Sequence, residues 1–555
     1  MNLVLYSQPS SEYKNNLRPP MDIPMRFSGN FGELRSSHFH SGIDLKTKGK
    51  IGIKIHASDD AYVSRVLISQ SGYGNAVYLT HPNGLLTVYG HMSSFSRKIA
   101  AFVKNKQYEQ ESWFVNVYPR KDLIKIKRGE VIGLSGNSGS STGPHLHYEV
   151  RDAENEDIIN PMYYFDVKDD IRPKAKDLYV YQLNNIYRFY DNKPKRLHLQ
   201  SKGDNLYLAK DTLHFSGKLG FGLDGVDFIS GSWSRCGLYS LKMFVDGTLS
   251  YFLEMDRFSF ATSSSINLLK DMRMDALSSC RIYKTWLPTV CSFNGLKSIR
   301  NRGILNLKKD SIYNVRLEVE DLSGNKSKLA FVVKANSYKK KRLSPYKEFR
   351  LFARDNNEVK CEEATVSFKS GDLFANVDID TLIIKTNNPL VYKSKIYRFG
   401  KEYVPLKNKV KLSVKTDSPF VSKMFFVSVG ASGKFSFLGG SYKNGLLSTK
   451  LSKLGDFAVC IDTIPPILRP KLAYSKNWLK KFSILRFRTS DKHTGICSFR
   501  AEMDGVWILT KYDKKTSLIT CYIERDRFSK KNSVFTLEVS DFCGNVKKFT
   551  KTFSL

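Results

Sequence analysis

Between residues 21 and 168, apolar and polar positions alternate in short runs: AYVSRVLIS, GNAVYLTH, LLTVYGHM, EVIGLSG and HLHYEVR, with Gly, Asn and Pro between them. Successive side chains of a strand point to opposite faces, so a period of two predicts an antiparallel β domain with one half-buried face. One stretch breaks the pattern. From about Phe95 to Gln110 (FSRKIAAFVKNKQYEQ) apolar residues recur at three- and four-residue steps, which predicts a helix with Lys and Gln on its other side.

From Asp169 onward the chain stays strand-like and repeats itself. Gly237 to Gly247 (GLYSLKMFVDG) matches Gly495 to Gly505 (GICSFRAEMDG). Each is followed by a similar stretch, EMDRF at Glu254–Phe258 and ERDRF at Glu524–Phe528. Each unit closes on a strand and turn, LEVEDLSGN at Leu317–Asn325 and LEVSDFCGN at Leu537–Asn545. Gly and Asn there suit a tight turn after a buried strand. Two copies so far apart predict two related β-sandwich modules rather than a solenoid. The expected architecture is mainly β: an antiparallel β domain at 21–168, then Ig-like β-sandwich modules at 169–335 and 461–555. A Lys-rich linker at 337–349 leads into a further β-rich module at 350–460 between them. Asp170 to Pro173 and Asp462 to Pro466 mark the two module starts.

A chain of 555 residues is too long for one core, which fits several domains. The net charge of +35 is uneven. Residues 1–165 hold 19 basic and 15 acidic residues, leaving 69 and 38 for the remainder. The basic modules could attract anionic envelope polymers or envelope proteins, or simply present Lys-rich solvated strand faces. No RNP, zinc-finger or helix-turn-helix signature accompanies the charge, so nucleic acid is not an expected partner. No run approaches the ~18 apolar residues of a spanning helix. The opening MNLVLYSQPSSEYKNN has neither a basic n-region nor an apolar h-region, so no export signal is read there. The eight cysteines lack any CxxC spacing and fit either disulfides or single buried thiols.

The histidines carry the chemistry. Seven of the ten precede residue 150: His38, His40, His56, His81, His91, His145 and His147. In His40-Ser-Gly-Ile-Asp44, Gly42 argues against a helix, so His40 and Asp44 converge across a turn into a strand. In His145-Leu-His147, residues i and i+2 of a strand share one face, so both imidazoles enter one cleft. Gly139, Gly143 and Pro144 constrain the loop before it, and Tyr89-Gly90-His91 ends another strand. A His/His/Asp set suits a catalytic Zn²⁺ that keeps a fourth position for water, and two histidines remain for proton transfer and charge stabilisation.

These motifs resemble the LytM/lysostaphin-type zinc metallopeptidases (family Peptidase_M23), whose signature is His-x-x-x-Asp followed later by His-x-His. The resemblance runs from about Arg26 to Phe165 and includes GNSGSSTGPHLHYEVRD and Ile159–Pro161. It implies a closed β structure with an open groove and one zinc held by His40, Asp44 and His147. It sets His91 and His145 beside the metal as general base and intermediate-stabilising groups, without deciding which is which. It implies a metalloendopeptidase acting on stem peptides or cross-links of peptidoglycan, and hence a periplasmic or envelope location. All five residues are present, which favours an enzyme over a non-catalytic activator of other wall hydrolases. An envelope adhesion protein with a secondary peptidase domain is the other alternative. The longer stretch between His91 and Glu130 departs from the shorter members: it either walls the groove or is a structural insertion. Among the remaining candidates, His38 reads as a partner of the centre or a surface residue, and Arg35 as a substrate contact or a plain surface arginine. His56 and His81 read as structural, and Tyr73, Asn75 and Tyr89 as groove or core. No substrate-binding residue is identifiable.

Overall fold

The computed structural model describes residues 17–337 and 349–555, apart from 185, 186, 188, 191, 192, 204, 210 and 529. The opening segment and the basic run Lys339–Arg342 lie outside the described residues. The described chain forms two compact units, one holding 17–101 with 116–337 and the other 102–115 with 349–555.

The first unit begins with the expected antiparallel β domain. Its main strands are β1 (Phe27–Gly29), β2 (Ile43–Lys46), β3 (Ala61–Ile68), β4 (Asn75–Thr80), β5 (Leu85–Gly90) and β6 (His145–Asp152). They lie side by side in the order β1-β2-β6-β5-β4-β3, so the last strand in sequence is inserted between the second and fifth. In β6 the alternation divides two environments. Leu146, Tyr148 and Val150 are fully enclosed in the core, and His145, His147, Glu149 and Arg151 project from the opposite face. The register then sets His147 opposite Asp44 of β2 on one side and Gly90 of β5 on the other. A strand placed at the sheet edge would not bring these three together.

Two glycines are required by close approach. A Cβ on Gly42 would stand 2.3 Å from the carbonyl oxygen of Tyr148, so the chain between His40 and Asp44 can lie against β6 only as glycine. Gly74 (φ 65°) and Gly139 (φ 68°) interlock, each Cβ position falling within 2.4 Å of the other loop's backbone.

The sheet does not end with this domain. Ile158–Ile159 pairs with both β6 and Arg257–Phe258, so the ladder continues into the following module. Phe31 and Phe39 pack on Phe258, and Phe39 stacks on Phe293 at 4.4 Å. That module is built on Lys174–Gln182 against Lys218–Phe228, and on Ser240–Val245 against Ile312–Glu320.

The second unit contains two further groups of sheets. Residues 357–461 form two five-stranded sheets, and residues 467–554 form two four-stranded sheets around Leu485, Phe487, Phe535 and Leu537. The repeated turn is made with the same bonds in both copies: Asp321 N–H donates to Asn325 O and Asp541 N–H to Asn545 O, each at 3.1 Å. The expected helix forms at Arg97–Glu109 (α1). Residues 102–115 belong to the second unit, where Trp113 stacks on Tyr522, Tyr108 meets Trp507 edge-on, and Lys104 pairs with Glu524 at 2.7 Å. Residues 102–115 therefore have an apolar packing role within that unit. All eight cysteines are free thiols. No helix among the described residues is long and apolar enough to cross a membrane.

Candidate metal centre

His40, Asp44 and His147 meet at one point. His40 Nε2 lies 3.1 Å from Asp44 Oδ1 and 3.2 Å from His147 Nδ1, and His147 Nδ1 lies 2.9 Å from Asp44 Oδ1. Donors around a tetrahedral Zn²⁺ at its usual bond lengths stand about 3.3 Å apart, so the triangle has the right size.

The hydrogen bonds decide which nitrogens face inward. His40 Nδ1–H donates to Asn30 O at 2.7 Å, leaving Nε2 bare. His147 Nε2–H donates to Glu149 Oε1 at 2.8 Å, leaving Nδ1 bare. Two imidazole lone pairs and a carboxylate oxygen thus point at one another, an arrangement that needs a cation between them. Without a metal the charge is supplied by a proton. Burial resists it, but the bonds to Asp44 and Glu149 prevail and push the His147 imidazole up to about 9. Against burial, the neighbouring His40 and the bonds from His145 and His147 hold Asp44 well below the ordinary carboxylate range.

Around the triangle stands a second layer of polar groups that the sequence reading missed. Glu149, fully enclosed, accepts from His147, Ser41 Oγ, Tyr73 OH at 2.6 Å and Arg151 Nε at 2.8 Å. Burial opposes its charge, yet Arg151 and His147 keep it ionised. The signal was in the sequence, because Glu149 and Arg151 continue the period-two face of His145 and His147. Arg35 is not a free surface residue: its Nη2 donates to Asp44 Oδ2 at 2.9 Å and forms an ion pair with Glu33 Oε2 at 3.1 Å.

His91 and His145 stand beside the triangle with their rings 4.7 Å apart. His91 adopts φ 60°, a left-handed conformation that a non-glycine residue holds only where its surroundings demand it. Its Nδ1–H donates to Ser138 O at 2.9 Å and its N–H to Tyr73 O at 2.8 Å, which aims Nε2 toward the centre. Burial beside His147 and His145 pushes its imidazole down to about 3, so it is neutral. His145 Nδ1–H donates to Gly143 O at 2.8 Å, and its Nε2 lies 3.4 Å from Asp44 Oδ1.

The other candidates separate cleanly. His38 is exposed in the turn before Phe39. His56 donates to Gly129 O and His81 to Asp60 O, both away from the centre. Tyr89 is core, its OH bonded to Ser58. Asn75 Nδ2 donates to Met92 O and steadies the turn after His91. Tyr73 lies 5.3 Å from the His147 ring and bonds Glu149.

The segment after the β domain reaches this centre through its rim. Asn30, whose carbonyl holds His40, is itself bonded through its side chain to Gly237 N and O at 2.7 and 2.9 Å. Arg281 pairs with Glu33 at 2.6 Å, and the enclosed Lys270 Nζ donates to Arg35 O at 2.8 Å.

This part of the chain is similar to known proteins. Residues 38–108 and 119–161 match the model of peptidase family M23, and residues 350–462 match that of the Zu5-like domain. A DD-carboxypeptidase/endopeptidase, Mpg, of Neisseria meningitidis is 34% identical over 129 residues, 23% of each chain. The peptidoglycan DD-endopeptidase ShyA of Vibrio cholerae is 34% identical over 140 residues, 24% of this chain and 26% of the relative. The match thus spans about a quarter of these relatives. The catalytic domain of the prophage-encoded M23 protein EnpA from Enterococcus faecalis is 29% identical and covers 26% of this chain and 93% of that one, with a TM-score of 0.20. The likeness to peptidase family M23 thus lies within residues 38–161.

Proposed function

We propose that the chain is a zinc-dependent endopeptidase that hydrolyses stem peptides or cross-links of bacterial peptidoglycan, working in the cell envelope. His40 Nε2, Asp44 Oδ1 and His147 Nδ1 hold the metal; His91 and His145 are the catalytic residues. The observation that carries the reading is the set of three donor atoms converging on one point, each side chain's other polar atom being engaged elsewhere.

When bound, zinc supplies a Lewis acid and a water acidified to near neutral pH. The chain's own groups do the rest. His91, neutral and with its Nδ1–H engaged, offers an Nε2 lone pair that accepts a proton. His145, once protonated, is steadied by Asp44 and donates from Nε2 to the substrate oxygen or the departing amine. Glu149 and Arg151 keep His147 in the ligating tautomer. The relatives named for peptidoglycan DD-endopeptidase activity support the substrate class.

The test is zinc content and digestion of purified peptidoglycan by wild type, His147→Ala and His145→Ala. Wild type is expected to hold one zinc and release cleaved peptides, His147→Ala to lose both, and His145→Ala to keep zinc while losing cleavage. A wild-type protein that binds no zinc sinks the reading.

A further inference from the structure

A second acidic cluster lies in the first unit, away from the peptidase centre. Asp169 opens the module, Asp227 lies near the end of the strand Lys218–Phe228, and Asp321 follows the strand Ile312–Glu320. One oxygen from each lies within 4.8 Å of the others. Asp169 Oδ1 accepts from Ser230 N–H and Ile171 N–H, and Asp321 accepts from the backbone and side chain of Asn325. Asp227 differs from both. It is 3% exposed, and among the described residues its Oδ1 has no hydrogen-bond partner. Among the described residues, no Lys, Arg or His forms an ion pair with any of the three. The Asp227 carboxylate takes a hydrogen bond from Phe228 N–H, but a buried carboxylate with one oxygen unpartnered, beside two others, is costly unless a cation joins them.

The repeat supplies an internal control. In the second copy Asp462, Asp491 and Asp541 form the corresponding cluster, and Asn545 Nδ2 donates to Asp462 O as Asn325 Nδ2 does to Asp169 O. There the charges are met from within the chain. Asp491 Oδ1 accepts the N–H groups of His493, Thr494 and Gly495. Asp462 faces His493 Nδ1 at 3.3 Å and Thr494 Oγ1 at 3.2 Å. Among the described residues, Asp227 Oδ1 has no such donors.

We propose that Asp169, Asp227 and Asp321 form a Ca²⁺ site. The donors are all oxygen, which selects a hard cation, and an irregular carboxylate set completed by water or carbonyls suits Ca²⁺ better than the strict octahedron of Mg²⁺. The ion would tie the start of the module to two of its strands. The adjoining loop also grips the peptidase domain, where Phe27 N–H donates to Ser232 Oγ at 2.9 Å. Calcium would thus brace the junction between the domains of the first unit.

The experiment titrates CaCl₂ into the full chain after dialysis against calcium-free buffer, reading heat of binding and melting temperature. Wild type is expected to bind Ca²⁺ and melt higher with it. Asp227→Asn and Asp169→Asn, both isosteric, lose at least about tenfold in affinity and lose the shift, with zinc content unchanged. Asp541→Asn keeps the Ca²⁺ response. No shift in wild type, a shift that survives both substitutions, or an equal response to MgCl₂ overturns the proposal.

Discussion

Replacing Glu149 with Gln tests whether the groups behind the histidines set the metal site. The amide keeps the shape of the carboxylate but cannot accept from every neighbour. Glu149 now accepts from His147, Ser41, Tyr73 and Arg151. If the amide oxygen stays with His147, its NH₂ is turned on the guanidinium of Arg151. If it turns to Arg151, the NH₂ faces His147 Nε2 and forces the proton to Nδ1, the atom proposed to ligate zinc. Breaking one member of a buried ion pair costs about 3–5 kcal/mol. Arg151 retains Glu156 at 2.7 Å, a pair whose exposed carboxylate is worth less, so the low end, about 3 kcal/mol, is expected. For a domain of this size that lowers melting by roughly 5–10 °C. Loss of a group that orients a metal-bound histidine costs about 10–100-fold in metal affinity. Zinc affinity is read by competition with a chromophoric chelator and stability by calorimetry of the full chain. A Glu149→Gln protein with zinc affinity within about twofold of wild type and unchanged melting would refute the assignment.

Three further perturbations follow from the geometry. Gly42→Ala puts a methyl against the Tyr148 carbonyl, and separating β2 from β6 should cost about 1–3 kcal/mol and weaken zinc binding, measured by urea denaturation and metal content. Arg35→Met removes the donor to Asp44 Oδ2 and should reduce zinc affinity about tenfold, read by the same chelator competition; unchanged affinity would mean the contact is incidental. Lys284, 4% exposed beside Trp286, is pushed down to about 8 by burial, partly offset by Asp271. The unfolded chain binds this proton up to about pH 10.4, so stability should rise by about 3 kcal/mol as pH climbs from about 8 to 10. Lys284→Met should remove that rise in urea titrations across the range, and a wild-type curve matching the variant would contradict it.

The five residues at the centre were legible because strand periodicity and the two histidine motifs constrain both face and order. Glu149 and Arg151 were not, although they share that face, because charges alternating along a strand usually mark a solvated side. Only the insertion of β6 between β2 and β5 turns the face inward, and such a long-range pairing leaves no local trace. Arg35 was missed for the same reason: its partner Asp44 is fixed by a turn whose path depends on Gly42 meeting β6. The amphipathic pattern of α1 predicted a helix at nearly the right bounds, but not what Trp113 and Tyr108 nearby would pack against.

The bond between Asn30 and Gly237 makes the N-terminal β domain a poor unit for excision. A fragment ending at residue 168 would leave the Ile158–Ile159 edge unpaired and uncover Phe31 and Phe39, each 1% exposed in the whole chain. It would also release the Asn30 side chain from Gly237, and with it the carbonyl that fixes His40. Any fragment intended for assay, or any chimera exchanging the downstream module, must therefore carry residues 169–335 or replace their grip on the 29–40 loop. Shuffling this chain as interchangeable parts would shift His40 before touching a single motif residue.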